Sequence, residues 1–489
     1  MEAEKTIKKS LFSGLFWVLL ANLIVKPFWL LGVEVGVQNA VGTEMYGLYF
    51  KIFSISYIFN ILLDLGVTNF NTRNIAQTPV LIRKHLSGIL SIKLMLLAIY
   101  IVVTFTVGAL MGYDSQKFYL LGWLCLNQFL NSLIIYLRSN FEGLLLFRWD
   151  SLLSVMDRLL MIVICGLMLW APGVTLCGGR MTIFHFVYAQ TAAYVITAAI
   201  ALCVLLRRTG VRRLHWDKPF TIAILKKSIP FALLVLLMAS YNRLDPVMLG
   251  KLSPNGMGDY NAGIYAGAFR LLDALTMIVY LVSIPLLPIY SKMTKKGIDK
   301  ELQSTTKMMF SMVLVFSVTA ACTLSSLDGQ IMSLMYSDNV GDYASVFRIL
   351  VFCIIPISAT YVFGTLLTAA GKLRQLNTFA AISLLVNLTV NVICIPRWGA
   401  VGSAWASVCA QCFMAVCEIV ASVRIFDFHI HRPYIIKIIL FTLFITVCSL
   451  LVPQMTWWLA ILIMATVAVG MAMMLRLIDI KEIINIIKN

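Results

Sequence analysis

The chain has 489 residues, 60% hydrophobic and only 12% charged, with a mean hydropathy of +0.90 and a net charge of +17. Soluble domains run near ~45–50% apolar and ~25% charged, so a water-soluble fold would expose apolar patches larger than monomers tolerate. In a membrane protein the basic excess first reports cytoplasmic loops rather than nucleic acid, and 11 cysteines lying mostly in apolar runs exclude a disulfide framework.

A membrane-crossing helix needs about 20 mostly apolar residues. That ruler predicts an all-α polytopic chain of about fourteen spans. The first six are Leu11–Val33, Tyr46–Gly66, Leu86–Leu110, Phe118–Leu137, Ser151–Trp170 and Thr182–Leu206. The next six are Ile229–Gly250, Ala262–Tyr290, Met308–Leu327, Val346–Ala370, Leu376–Ile395 and Ala400–Val423, and Tyr434–Val452 and Trp457–Leu477 close the series. The first run is too long for a signal-peptide core and lacks a small-residue cleavage site, so it reads as a helix.

Lys and Arg concentrate in segments that are cytoplasmic if the N-terminus is inside, which predicts that both termini are cytoplasmic. The longest outer loop, Asp328 to Ser345, has no room for a domain. The basic segment 207–228 divides a first lobe, 1–206, from a second, 229–425, and 426–489 adds two spans and a tail. Its basic residues, with Trp216 and Phe220, suit either a positive-inside linker or anionic headgroups. The lobes open their second spans alike, with Tyr46-Gly47-Leu48-Tyr49 in one and Gly263-Ile264-Tyr265-Ala266 in the other. A cation follows each, Lys51 and Arg270, as parallel repeats would have it.

These residues also carry a resemblance. Gly42-Thr43-Glu44-Met45-Tyr46-Gly47-Leu48-Tyr49 through Leu63-Asp64-Leu65-Gly66-Val67 resembles the second span of the polysaccharide-transporter family. So does Asp245-Pro246-Val247-Met248-Leu249-Gly250 before Gly263-Ile264-Tyr265. The run from Asn387 to Ala404, with Pro396-Arg397-Trp398-Gly399-Ala400-Val401-Gly402, is similar to that family's passage from eleventh to twelfth span. The resemblance covers about residues 10–425 and is specific for the superfamily of multidrug, oligosaccharidyl-lipid and polysaccharide exporters, less so for the substrate. It implies two six-helix lobes in a V that open alternately, and flipping of an undecaprenyl-pyrophosphate-linked oligosaccharide from the cytoplasmic to the outer leaflet. It implies a coupling ion, Na+ or H+, no cofactor, and glycan polymerases as neighbours.

Cations inside spans need an explanation, because an isolated charge in hydrocarbon is costly. Lys26, followed by helix-kinking Pro27, lies ~10–15 Å from the outer end of its span, far for a lysine to snorkel, and is expected in an aqueous cavity. Lys51 and Arg270 lie near the outer ends of spans two and eight, where snorkelling competes with a cavity role. In the resembled family basic residues on spans one, two and eight meet the pyrophosphate, which by span selects Lys26, Lys51 and Arg270. Arg243 joins them as a cavity or inter-helix cation. Asp245, two residues on, faces elsewhere, whereas Asp273 can pair with Arg270 at i, i+3. Lys93, Arg158 and Lys437 are expected to reach the inner headgroups and Arg348 the outer ones. Asp64 reads as a helix-end residue, and Asn387 and Asn391, at i, i+4, as polar contacts between helices.

No metal spacing and no phosphate-cradling glycine loop appears, and the outer loops gather no catalytic cluster, which argues against an enzyme. A MATE-like drug/cation antiporter would want buried carboxylates, yet the interior charges of the first-lobe spans are mostly basic. A glycan polymerase or ligase would want a sizeable outer loop.

Overall fold

The computed structural model describes residues 25–68, 71, 72, 75, 80, 82–144, 146–170, 181–210, 219, 233, 235–283, 285–296, 299–429, 432–452 and 455–477. Among these there is no strand. Among the described residues eleven helices are long and apolar enough to cross a membrane, and large apolar side chains such as Val102, Leu385 and Leu443 point outward from them. An outward apolar surface of that extent is stable only against lipid tails. The chain is a multi-pass membrane protein.

The described residues form two compact units, one reaching to Lys251 and including Met257–Gly263, the other holding Leu252–Gly256 and everything from Ile264. In the first unit the helix of the first span continues past the expected Val33. Downstream of Pro27 it widens into a π-helical turn, Trp29–Glu34, and then runs as α1, Val35–Val41. Gly42, at φ 89°, turns the chain into α2, Thr43–Ile58, which tightens into a 3-10 turn, Phe59–Leu63. Then come α3, Ile82–Leu110, α4, Ser115–Gly143, α5, Phe147–Trp170, and α6, Ile183–Thr209. Asp114 caps α4 by accepting from the Lys117 N–H at 2.9 Å, and Thr182 and His185 cap α6 reciprocally. Leu86, Ile89, Tyr136, Leu137, Phe141 and Leu205 bring α3, α4 and α6 into one core. The unit ends with α7, Asp245–Leu252, as far as Lys251, and with the first residues of α8, Gly258–Ser283.

The second unit continues α8 and adds α9, Leu286–Lys296, and α10, Asp299–Ser326. The segment expected as the longest outer loop is instead mostly helical. It carries α11, Asp328–Met335, and the first turn of α12, Val340–Leu350. An Arg348–Asp328 bond of 2.6 Å ties these two helices together, a pairing that local periodicity does not reveal. After α13, Ile354–Ala369, comes α14, Leu373–Ile425, a run of 53 residues that spacing predicts as two spans. It is a hairpin. Gly399 breaks it at φ 53°, ψ −128°, and a Cβ on Gly402 would stand 2.5 Å from the Cys394 carbonyl oxygen. Ser383 on one limb donates to the Ala410 carbonyl on the other at 2.6 Å. The last helices among the described residues are α15, Arg432–Ser449, and α16, Trp457–Met474. Most of the first expected span and of the basic segment 207–228, and residues 229–232 and 234 of the seventh span, lie outside the described residues.

Candidate functional site

The interior of the first unit carries more charge than its apolar sequence would suggest. On α3, Lys93 is 1% exposed. Each of its three ammonium donors has an acceptor: the Leu63 carbonyl at 3.1 Å, Asp64 Oδ1 at 3.0 Å and Ser132 Oγ at 2.9 Å. This corrects the expectation that Lys93 reaches the headgroups. The irregular turn after Leu63 leaves a carbonyl free, and Asp64 sits at that turn to share the cation. Nearby, His85 meets Asn71 at 3.2 Å and Asn71 donates to Ser139 at 2.8 Å, so polar groups buried here satisfy one another.

Deeper on α5, Arg158 lies 5.8 Å over the Trp29 ring and donates to the Tyr194 hydroxyl at 3.3 Å. It turns into the helix bundle instead of toward a headgroup. Lys26 is half-buried and within electrostatic reach of Arg158, Arg138 and Asp157. Arg138 bonds Asp150 at 2.7 Å, and Asp157 lies 3.9 Å from Arg158. Lys26 has no carboxylate partner of its own among the described residues. Trp29, stacked on Phe186 at 5.9 Å and donating to Glu34 at 2.9 Å, forms an aromatic wall beside these cations.

On α2, Lys51 is buried and ion-paired with Asp259 at the start of α8. Glycines make the approach close enough. A Cβ on Gly47 would overlap the Asp259 carbonyl oxygen and stand 2.5 Å from the Gly263 nitrogen, and one on Gly250 would overlap the Lys51 stem. Small residues at such crossings let helix backbones touch. Aromatic rings run along α2, Tyr46, Tyr49, Phe50, Phe53 and Tyr57. The guanidinium of Arg243 lies 5.7 Å from the Phe50 ring and 5.3 Å from the Tyr57 ring. Asp245, 1% exposed, begins α7 just after Leu244 interrupts the helix.

In the second unit Arg270 is 3% exposed and donates to the Tyr336 hydroxyl at 2.9 Å. Tyr336 stacks on Tyr343, with ring centres 4.0 Å apart, and Gly267 leaves room for the pair against α8. Asp273, one turn on from Arg270, is half-buried. Asn391 donates to Asn387 at 3.0 Å, both fully buried within one limb of α14. Of the cations selected from sequence, Lys26, Lys51 and Arg243 belong to the first unit and Arg270 to the second. Arg158 carries the signal of a charge inside an expected span, whereas Arg138 lies one residue past the expected fourth span and enters the helix only because α4 runs on to Gly143.

Residues 11–294 match the polysaccharide biosynthesis protein family. The chain belongs to that family. No curated protein matches it by sequence. Among solved structures it is similar to the lipid II flippase MurJ in an inward closed conformation, with a TM-score of 0.63 at 13% identity over 96% of this chain and 98% of that one. It is similar to an inward-facing multidrug resistance MATE family transporter of the MOP superfamily, with a TM-score of 0.63 at 13% identity over 81% of this chain and 94% of that one. A MOP superfamily transporter from Pyrococcus furiosus follows at a TM-score of 0.54 and 11% identity, over 85% and 95%. At these identities the likeness establishes the fold, which is that of the MOP-superfamily transporters.

Proposed function

We propose that this protein is a flippase that carries an undecaprenyl-pyrophosphate-linked oligosaccharide from the cytoplasmic to the outer leaflet of a bacterial cytoplasmic membrane by alternating access. Membership of the polysaccharide biosynthesis protein family supports a cargo on the route to a polysaccharide. The observation that supports an anionic head is Lys26, inside the first unit beside Arg158 and Arg138 with no carboxylate of its own among the described residues. A diphosphate accepts from just such cations, and Arg offers a planar fork where Lys offers a point charge.

Most carboxylates nearby are already engaged by cations, while Glu142, within reach of Arg138, accepts from the Thr72 hydroxyl. Asp64 holds Lys93, Asp150 holds Arg138, Asp157 lies beside Arg158 and Asp259 holds Lys51. A cationic drug would find few free partners there, which weighs against a MATE-like antiporter. Lys51, Arg243 and Arg270 serve as further contacts along the cargo's path, with Asp245 and Asp273 as pairing or gating groups. Both termini are cytoplasmic, an ion gradient of Na+ or H+ supplies the drive, and glycan polymerases receive the product.

The test is flipping by purified protein in proteoliposomes, with an undecaprenyl-pyrophosphate-linked oligosaccharide as cargo. Losing one charge-assisted contact lowers flipping per folded molecule of K26Q by about tenfold or more, and K26R keeps more activity than K26Q. Wild-type rates in both K26Q and R158Q would remove the cationic site. Export of cationic drugs without glycolipid flipping would move the protein to the antiporter class.

A further inference from the structure

The second limb of the α14 hairpin carries a carboxyl that none of the cations above explains. Glu418 is 1% exposed. Its head lies over Gly364 on α13, where a Cβ would stand 2.6 Å from Oε1. The Thr360 hydroxyl, one turn earlier on α13, is close by. Yet the Thr360 hydroxyl gives the carboxyl only a loose contact, and Glu418 Oε2, Thr360 Oγ1 and, one turn along α14, Ser422 Oγ lack a well-aligned hydrogen bond. Three buried oxygens thus stand poorly satisfied on one helix face, where buried polar groups are otherwise almost always paired.

No counter-charge is at hand. On the elements packed against α14 the titratable or charged side chains are Tyr361 on α13, Asp342, Tyr343 and Arg348 on α12, Cys353 between them, and Tyr265, Arg270, Asp273 and Tyr280 on α8, whose Tyr265 hydroxyl meets Ser407 of α14 at 2.8 Å. On α14 itself Cys417 and Arg424 lie nearest in sequence. Arg348 is engaged by Asp328, Tyr343 by the Tyr336 ring, and none is a partner of the Glu418 carboxyl among the described residues. An ionised carboxylate without a partner in such a place costs many kcal/mol, so the group neutralises itself instead. A purely structural polar contact would be met by Gln without that penalty. Hard metal cations ask for six or more oxygen ligands, and one carboxyl with two hydroxyls falls short of such a shell. A proton needs only one oxygen.

We infer that Glu418 is a proton-binding site of the second unit, protonated while α13 packs on α14 and deprotonated when water enters that seam. On release the Oε2–H bond breaks, its electron pair stays on oxygen, and the proton passes to the incoming water. The carboxylate left behind cannot return to the dry seam, so proton loss favours the loosened packing and proton uptake the closed one. Gly364 is what allows the head to lie flush against α13. The site uses no residue of the first unit and is independent of what the protein carries.

The experiment uses the full chain in lipid nanodiscs, wild type against the near-isosteric E418Q. Infrared difference spectra are recorded as pH is raised, together with amide hydrogen exchange corrected for its intrinsic pH dependence. The wild type should show the C=O stretch of a protonated carboxyl that E418Q lacks, and lose it at high pH. Exchange in α13 and the second limb of α14 should quicken over that same pH range and stay flat in E418Q. The proposal fails if no band depends on Glu418 at any pH, or if E418Q shows the same pH-dependent exchange. It fails equally if Na+ at constant pH removes the band, which would make this a sodium site. None of these readouts requires transport, so a negative flipping assay bears on the proposed cargo alone.

Discussion

The ammonium of Lys51 is ion-paired with the carboxylate of Asp259, a residue 208 positions later in the chain. The pair closes a crossing at which Gly47 and Gly263 let α2 and the start of α8 meet backbone to backbone. Lys51 is therefore a structural cation as well as a proposed contact for the cargo, and the two roles separate experimentally. Removing one partner leaves the other charge poorly solvated, so K51Q or D259N alone should cost about 3 kcal/mol, the low end for a buried pair because Asp259 is partly exposed. The double variant K51Q/D259N should recover part of that loss. Thermal unfolding of the four proteins in one detergent measures the coupling.

The glycines at this crossing give a second expectation. At Gly47 the neighbours are backbone atoms of Asp259 and Gly263, which cannot rotate away as a side chain would. G47A should cost about 3 kcal/mol, at the upper end of overpacking. Gly329, in contrast, has open space around its Cβ position, so G329A should be silent. Recovery of monodisperse protein after purification distinguishes them.

Lys93 separates a buried network from a headgroup anchor. Its three hydrogen bonds join the Leu63 carbonyl, Asp64 and Ser132 through one ammonium. K93M should cost about 3 kcal/mol, because Asp64, 24% exposed, loses its cation, and adding D64L should restore part of it. A lysine that merely touched headgroups would tolerate Met with little change. Denaturation midpoints in a common lipid-detergent mixture supply the comparison.

The cap of α4 offers a pH test outside the spans. Hydrogen bonds from the Lys117 backbone and side chain hold the Asp114 carboxyl below the usual carboxylate range. A depressed pKa in the folded state adds stability above the unfolded-state pKa, and that stability is lost as pH falls through the folded value. D114A should therefore melt earlier than the wild type at neutral pH. The gap should narrow as acid titrates the wild-type carboxylate. A gap that stays constant into strong acid would mean that the charge contributes nothing to the cap.

Composition and apolar run length by themselves determined that this is a polytopic α-helical membrane protein, because the bilayer sets helix length and demands internal hydrogen bonding. The turn between Pro396 and Gly402 was legible for the same local reason: a missing donor and a glycine at positive φ act within a few residues. Which interior charges are partnered was decided only by the tertiary structure. Lys51 and Asp259, or Lys93 and Ser132, lie far apart in the chain, and helical period tells which residues share a face but not which faces meet. Lys26 stood out inside an apolar span, whereas Glu418, inside the expected span Ala400–Val423, was not singled out from sequence. Only the packing left Lys26 beside arginines and Glu418 against Gly364, and that placement turns an intramembrane charge into a candidate site.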